Sequence, residues 1–283
     1  MIYNRTSKSI DENIQYGGKY LNFLYNTFIG RIFLKIVINP IFSKIYGKYN
    51  SMASSKRKID KFIKKYNIDI SEYEEKEYSS FNDFFIRKKK EINYNKEKNI
   101  FIAPADSNLM VYKIEEDMTI KIKQGIYTIE ELLLDQINFE QFKNGNCLIF
   151  RLSMDDYHRY CYIDDGTIDK IKNIKGKLHT VSSISKKHKV YSQNTRICNY
   201  MTTDNFGKII YIEIGALLVG KINNYNKMQY NKGDEKGYFE LGGSTIVILT
   251  NDRIKIDNDI IEYSNKGIET KVKYGERIGE LKC

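Results

Sequence analysis

From Asn99 onward the chain breaks into short runs of β-branched and aromatic residues, and this segmentation constrains the fold more than any other feature. Ile100-Phe101-Ile102 and the runs at 148–152, 209–214 and 246–249 are each too short for a buried helix, and Gly, Asn and Asp bound them. They predict strands joined by tight turns. One helix is expected among them, over 128–141. Gly275-Glu276-Arg277-Ile278-Gly279 repeats the glycine spacing of Gly233-Asp234-Glu235-Lys236-Gly237, which predicts two related turns of a compact sandwich-barrel. The N-terminal quarter reads differently. Residues 20–38 predict one helix ended by Pro40, a basic helix follows over about 51–66, and 71–100 is a charged connector. The expected fold class is α+β, with a helical N-terminal region over 1–70 packed on a mainly antiparallel β core over 71–283.

Charge separates the two parts. Residues 1–70 carry thirteen Lys and Arg against four Asp and Glu, so nearly all of the net charge of +10 sits there. Such a segment invites nucleic acid, an acidic partner or an anionic membrane. Its apolar content decides between them: Leu21, Phe23, Leu24, Phe28, Ile32 and Phe33 crowd one stretch, interrupted by Asn22, Asn26, Arg31 and Lys35. No window has the eighteen or so uncharged apolar residues of a spanning helix, and the first residues lack a signal-peptide pattern. A greasy helix flanked by basic residues predicts a segment lying in the interface of an anionic phospholipid bilayer, peripheral on the cytoplasmic face of the cell membrane. No nucleic-acid partner is expected. Cys147, Cys161, Cys198 and Cys283 have neither disulfide-framework nor metal-ligand spacing, so a reducing compartment and no metal are expected.

Gly242-Gly243-Ser244-Thr245 runs straight into Ile246-Val247-Ile248-Leu249. Alone, such a tetrad is usually a turn. It stands, however, in a series: Phe81-Asn82-Asp83-Phe84-Phe85-Ile86-Arg87, Ala103-Pro104-Ala105-Asp106, Asp156-Tyr157-His158-Arg159-Tyr160, Leu178-His179-Thr180-Val181, Asn194-Thr195-Arg196, Ile214-Gly215-Ala216-Leu217-Leu218-Val219-Gly220, and Gly233-Asp234-Glu235 leading to Gly-Ser-Thr. Together these resemble the pyruvoyl-dependent phosphatidylserine decarboxylase proenzymes, from about Phe81 to the C-terminus.

The resemblance implies self-cleavage at the Gly243-Ser244 bond into chains 1–243 and 244–283, with Ser244 becoming a pyruvoyl cofactor. It implies phosphatidylserine as substrate, a complex of the two cleaved chains, and is compatible with a homodimer. The chemistry asks for such a group, because decarboxylation at Cα needs an electron sink that no side chain supplies. A serine hydroxyl needs a base, and the base an orienting partner. His158 is assigned as base and Asp106 as the group holding its imidazolium, with Tyr157 and His179 as substrate-pocket candidates. His188, in a lysine-rich run, is expected on the surface. Two departures stand out: Cys161 replaces a second histidine found in many relatives, and Ser107 replaces the usual glycine after the aspartate, which predicts a crowded turn. A serine hydrolase built on Asp106, His158 and Ser244, and a non-catalytic membrane-tethered module, are the alternative readings. The first lacks the strand-to-helix elbow of a hydrolase serine.

Overall fold

The computed structural model describes residues 1–12, 17–122, 125–135, 139–181, 183–185, 188–218, 221–225, 227–242 and 244–282. Its core is a ten-stranded, mostly antiparallel sheet, with two three-stranded sheets and one two-stranded sheet around it. The large sheet stays open, with the strands Gln229–Tyr230 and Ser9–Asp11 at its edges. The expected α+β class therefore holds, but the barrel closure does not.

The central strand is Ser244–Thr250, between Gly207–Gly215 and Asn146–Leu152, and all seven of its residues are buried. Its uninterrupted apolar run follows from two cores. Ile246 and Ile248 face one cluster, with Phe150, Tyr160 and Tyr211; Val247 and Leu249 face the other, with Leu132, Ile149 and Ile212. Side chains alternate across a strand, so a sheet covered on both faces needs apolar residues at every position.

The two glycine turns meet at one ring. Gly233 and Gly275 both have left-handed backbone, φ 80° and 76°. A Cβ at Gly233 would lie 2.4 Å from the Tyr94 ring, and one at Gly275 would lie 2.5 Å from Tyr94 Cβ. Tyr274 joins the turns by donating from its hydroxyl to the Gly233 carbonyl at 3.1 Å.

The helical part departs from expectation in several places. Residues 20–38 form two helices, Gly18–Asn26 and Phe28–Val37, because Thr27 is extended and its hydroxyl caps the second by accepting from the Gly30 N–H. Pro40 starts a helix, Pro40–Asn50, instead of only ending one; the first helical position tolerates proline because no N–H is needed there. The basic segment splits into a 3₁₀ turn, Ala53–Lys58, and the helix Ile59–Tyr66. The helix expected over 128–141 is only Ile129–Leu133, closed by left-handed Leu134, and 136–138 lie outside the described residues. Within 1–70, Ile2–Asn4 and Ser9–Asp11 are strands of the large sheet, so the helical part begins at Gly18. Arg5 anchors this edge through ion pairs to Asp257, Asp259 and Glu276 at 2.8–2.9 Å.

Candidate active site

Ser244 opens the central strand, opposite Gly215 on one side and Leu152 on the other. Its side chain is fully buried and its Oγ has no hydrogen-bond partner among the described residues. Buried hydroxyls are normally paired, so this one is an exception that leaves its oxygen uncommitted. Gly242, two residues earlier, has φ 134°, a conformation that side chains disfavour. Gly243, on the acyl side of the expected cleavage, lies outside the described residues.

His158 precedes the short strand Arg159–Cys161 and is fully buried. Its Nδ1 lies 2.9 Å from the carbonyl of Asp156, and the Phe85 ring packs on it at 4.1 Å between centroids. A carbonyl only accepts, so the proton is on Nδ1 and Nε2 carries the lone pair. Nε2 has no partner. Burial pushes the imidazole pKa down to about 3; the Asp156 carbonyl opposes this, the Arg87 charge assists it, and the Gly242 backbone favours protonation slightly. Burial thus keeps the ring neutral, with Gly242 among the groups that act on it.

Asp106 shares no hydrogen bond with this ring among the described residues. Its carboxylate takes Lys89 at 3.1 Å, Lys273 at 3.6 Å and the Tyr274 N–H at 2.8 Å. Although burial works against the charged form, these partners hold its pKa below the usual carboxylate range, Lys273 most of all. The carboxylate is satisfied where it stands, and the backbone of Asp156 orients His158 in its place. The turn itself is uncrowded: Ser107 starts the strand Ser107–Lys113 without positive φ, and its hydroxyl donates to the Ala105 carbonyl at 3.1 Å.

Tyr157 sits on the Asp106 side. Its ring lies 6.0 Å from Tyr274 and 6.2 Å from Tyr73, under the Lys89 ammonium. Cys161 is buried too, with its thiol pKa raised to about 12 by burial, and its Sγ lies 4.0 Å from the Ala103 carbonyl. It cannot replace an imidazole. A cleft of about 510 Å³ opens beside this group, lined by Lys89, Lys90, Glu72, Lys273 and Tyr274.

His179 belongs to a third place. Its Nδ1 is 3.1 Å from the Tyr25 hydroxyl, and its N–H donates to Asn194, which also donates to the carbonyl of Gly215, the partner of Ser244. His188 is not on the open surface, as expected, but half-buried and stacked on His179 at 4.5 Å.

Three contributors escaped the sequence reading. The helix Phe81–Phe85, read as connector, supplies Asn82, whose Oδ1 accepts the Leu241 N–H at 3.1 Å, and Phe85, which packs on His158. The carboxylate of Asp156 accepts the Ser153 N–H at 2.7 Å and pairs with Lys271 at 3.3 Å, fixing the carbonyl that orients His158. For Asn82 and Phe85 the signal was the aromatic Phe81-to-Arg87 block itself, whose partner Leu241 is 159 residues from Asn82.

Comparison with known proteins places the chain in a family. The sequence profile of the phosphatidylserine decarboxylase family matches residues 81–280. The chain is 55% identical over 284 residues to phosphatidylserine decarboxylase proenzyme 2 of Clostridium acetobutylicum, covering 99% of this chain and 98% of that one. It is 40% identical to the phosphatidylserine decarboxylase proenzyme of Clostridium perfringens (98% of each chain) and 40% identical to that of Clostridium tetani (100% and 98%). The family match and the full-length identities lead to one statement: the chain belongs to the phosphatidylserine decarboxylase proenzymes.

Proposed function

We propose that the chain cuts itself at the Gly243-Ser244 bond and then decarboxylates phosphatidylserine to phosphatidylethanolamine and CO2 at an anionic bilayer. One observation carries the reading: two buried, unpartnered atoms, Ser244 Oγ and His158 Nε2, lie in the surroundings of Gly242.

His158 Nε2 takes the Ser244 proton as Oγ attacks the Gly243 carbonyl carbon. The C–N bond breaks, the histidine returns the proton to the freed amine, and an ester joins the two chains. Loss of the Ser244 α-hydrogen expels the Gly243 carboxylate and leaves dehydroalanine, which water converts to pyruvoyl and ammonia. The uncommitted hydroxyl of Ser244 and its place at a strand start fit that group, whose carbonyl supplies the electron sink for decarboxylation. His158, kept neutral by burial, is free to hold or donate a proton there afterwards. Asp106 fixes Lys89 and Lys273 at the mouth of the cleft.

Membrane attachment is supported by the helices Phe28–Val37 and Pro40–Asn50, which expose Phe28, Ile29, Ile32, Phe33, Ile36, Ile41 and Ile45 to between 52% and 76%. Exposed apolar patches of that extent mark interaction surfaces. No helix among the described residues is long and apolar enough to cross a membrane, so these helices would lie on it, peripherally on the cytoplasmic face.

The intact mass of the purified chain tests the reading. Two chains are expected, the smaller blocked at its N-terminus, and Ser244→Ala should give one chain and no activity. A wild-type protein that stays full-length after prolonged incubation would refute it.

A further inference from the structure

We propose that Arg87 is the receptor for the phosphodiester of the substrate headgroup, an assignment that rests on the decarboxylase reading of the site. Three arginines are buried: Arg87, Arg159 and Arg196. Arg196 spends its guanidinium on the carbonyls of Glu131, Leu132, Ser192 and Asn194, at 2.6–3.0 Å. Arg159 pairs with Glu235 at 2.5 Å and donates to the Ile86 carbonyl. Arg87 is different. It is 2% exposed, yet among the described residues its Nε and Nη1 have no partner and none of its hydrogen-bond partners is a carboxylate. Only Nη2 is used, in two long contacts to the Tyr73 hydroxyl at 3.3 Å and the Asp155 carbonyl at 3.2 Å. Tyr73 and Phe84 cover the guanidinium at 4.5 and 5.0 Å, leaving its edge for an in-plane ligand. A buried cation with free donors and no counter-ion is costly, and an anion is what would offset it.

Its position says which anion. Arg87 follows Phe85, whose ring packs on His158, by two residues, and its charge is felt by that histidine. Arg159 holds the local backbone through the Ile86 and Arg87 carbonyls, at 2.9 and 3.3 Å, so the guanidinium is placed rigidly. The serine headgroup offers a carboxylate and a phosphodiester. The carboxylate leaves as CO2, and a cation bonded to it would stabilise the ground state more than the transition state. The phosphodiester keeps its charge throughout and is a few bonds from Cα, within reach of a residue neighbouring the base.

The test uses full-length Arg87→Gln and Arg87→Lys. Intact mass first reports self-cleavage, which needs the fold, His158 and Ser244 but no lipid; both variants should process. Kinetics then compare phosphatidylserine in detergent with a phosphate-free O-alkyl-L-serine of similar chain length. For Arg87→Gln, KM on phosphatidylserine should rise roughly a hundredfold with kcat changed only a few-fold, as expected for a lost charge-assisted contact. Turnover of the phosphate-free lipid should be unaltered, and Arg87→Lys should recover part of the loss. Equal losses on both lipids, a loss confined to kcat, or failure of both variants to process would each overturn the assignment. If the wild type decarboxylates neither lipid, the decarboxylase reading fails instead.

Discussion

His158 and Asp156 stand two residues apart and respond to burial in opposite directions. Burial lowers the His158 pKa to about 3 from 6.5, and raises that of Asp156 to about 6 from 3.8 with Lys271 opposing. Two predictions follow at this scale. A base that stays neutral to low pH should cleave at an almost constant rate from pH 7 down to 5, where an ordinary imidazole would be mostly protonated; a pulse of freshly synthesised precursor, followed on gels, measures this, and His158→Ala should not process. The second concerns stability. With its folded pKa depressed, His158 binds fewer protons than in the unfolded chain between pH 6.5 and 3, so its contribution is lost as pH falls through that window. Asp156, raised when folded, acts the other way between pH 3.8 and 6: its contribution is lost as pH rises. The uncleavable Ser244→Ala precursor should therefore lose roughly 2–3 kcal/mol more than the Ser244→Ala/His158→Ala precursor between pH 6.5 and 4, by calorimetry.

At the scale of elements, the five-residue helix Phe81–Phe85 governs the site without contributing a reacting atom. Ser80 caps it by accepting the Asp83 N–H, and its buried face carries Phe81, Asn82, Phe84 and Phe85. Asn82→Ala would leave the Leu241 N–H unpaired in a buried setting, at a cost of about 1–3 kcal/mol, and loosen the segment leading to Ser244. Cleavage should slow at least tenfold, whereas Asp83→Ala, which removes surface contacts to Lys76 and Ser79, should leave processing near normal. Intact mass over time separates the two. The strands were legible because each is a β-branched run between turn residues. The helix break at Thr27 was not, because its cause is a crossing: a Cβ on Gly30 would stand 1.9 Å from the Phe23 carbonyl oxygen. Periodicity along one helix carries no information about such an approach.

At the scale of the molecule, the basic and apolar helices sit apart from the buried chemistry yet touch it. Ile38 accepts the Leu178 N–H at 2.9 Å, and Tyr25 binds His179 and the Thr180 N–H. Leu34 and Ile38 pack inward with Tyr25, while the opposite apolar face of the same helix has no cover. Phe28→Glu with Ile32→Glu should cut flotation with anionic vesicles at least tenfold and lower activity on bilayers, while self-cleavage and turnover of short-chain soluble substrate persist. Salt should weaken the residual binding, because the remaining attraction is the screened charge of the segment. Unchanged flotation of the double variant would remove these helices from the docking surface.

The sequence alone determined the class of fold, the main strand positions, the charge division and the family, because each is written in local pattern: alternation, turn residues, and short motifs in order. Which of those residues meet was decided only by tertiary structure. Asp106 and His158 both stand in recognisable motifs, yet one is spent on Lys89 and Lys273 and the other is oriented by its neighbour's carbonyl. Asn82 reaches Leu241 across 159 residues, and Gly233 and Gly275, from separate turns, both pack against Tyr94. Burial, which keeps His158 neutral and leaves Arg87 short of acceptors, is a property of everything packed around a side chain, and no window of sequence contains it.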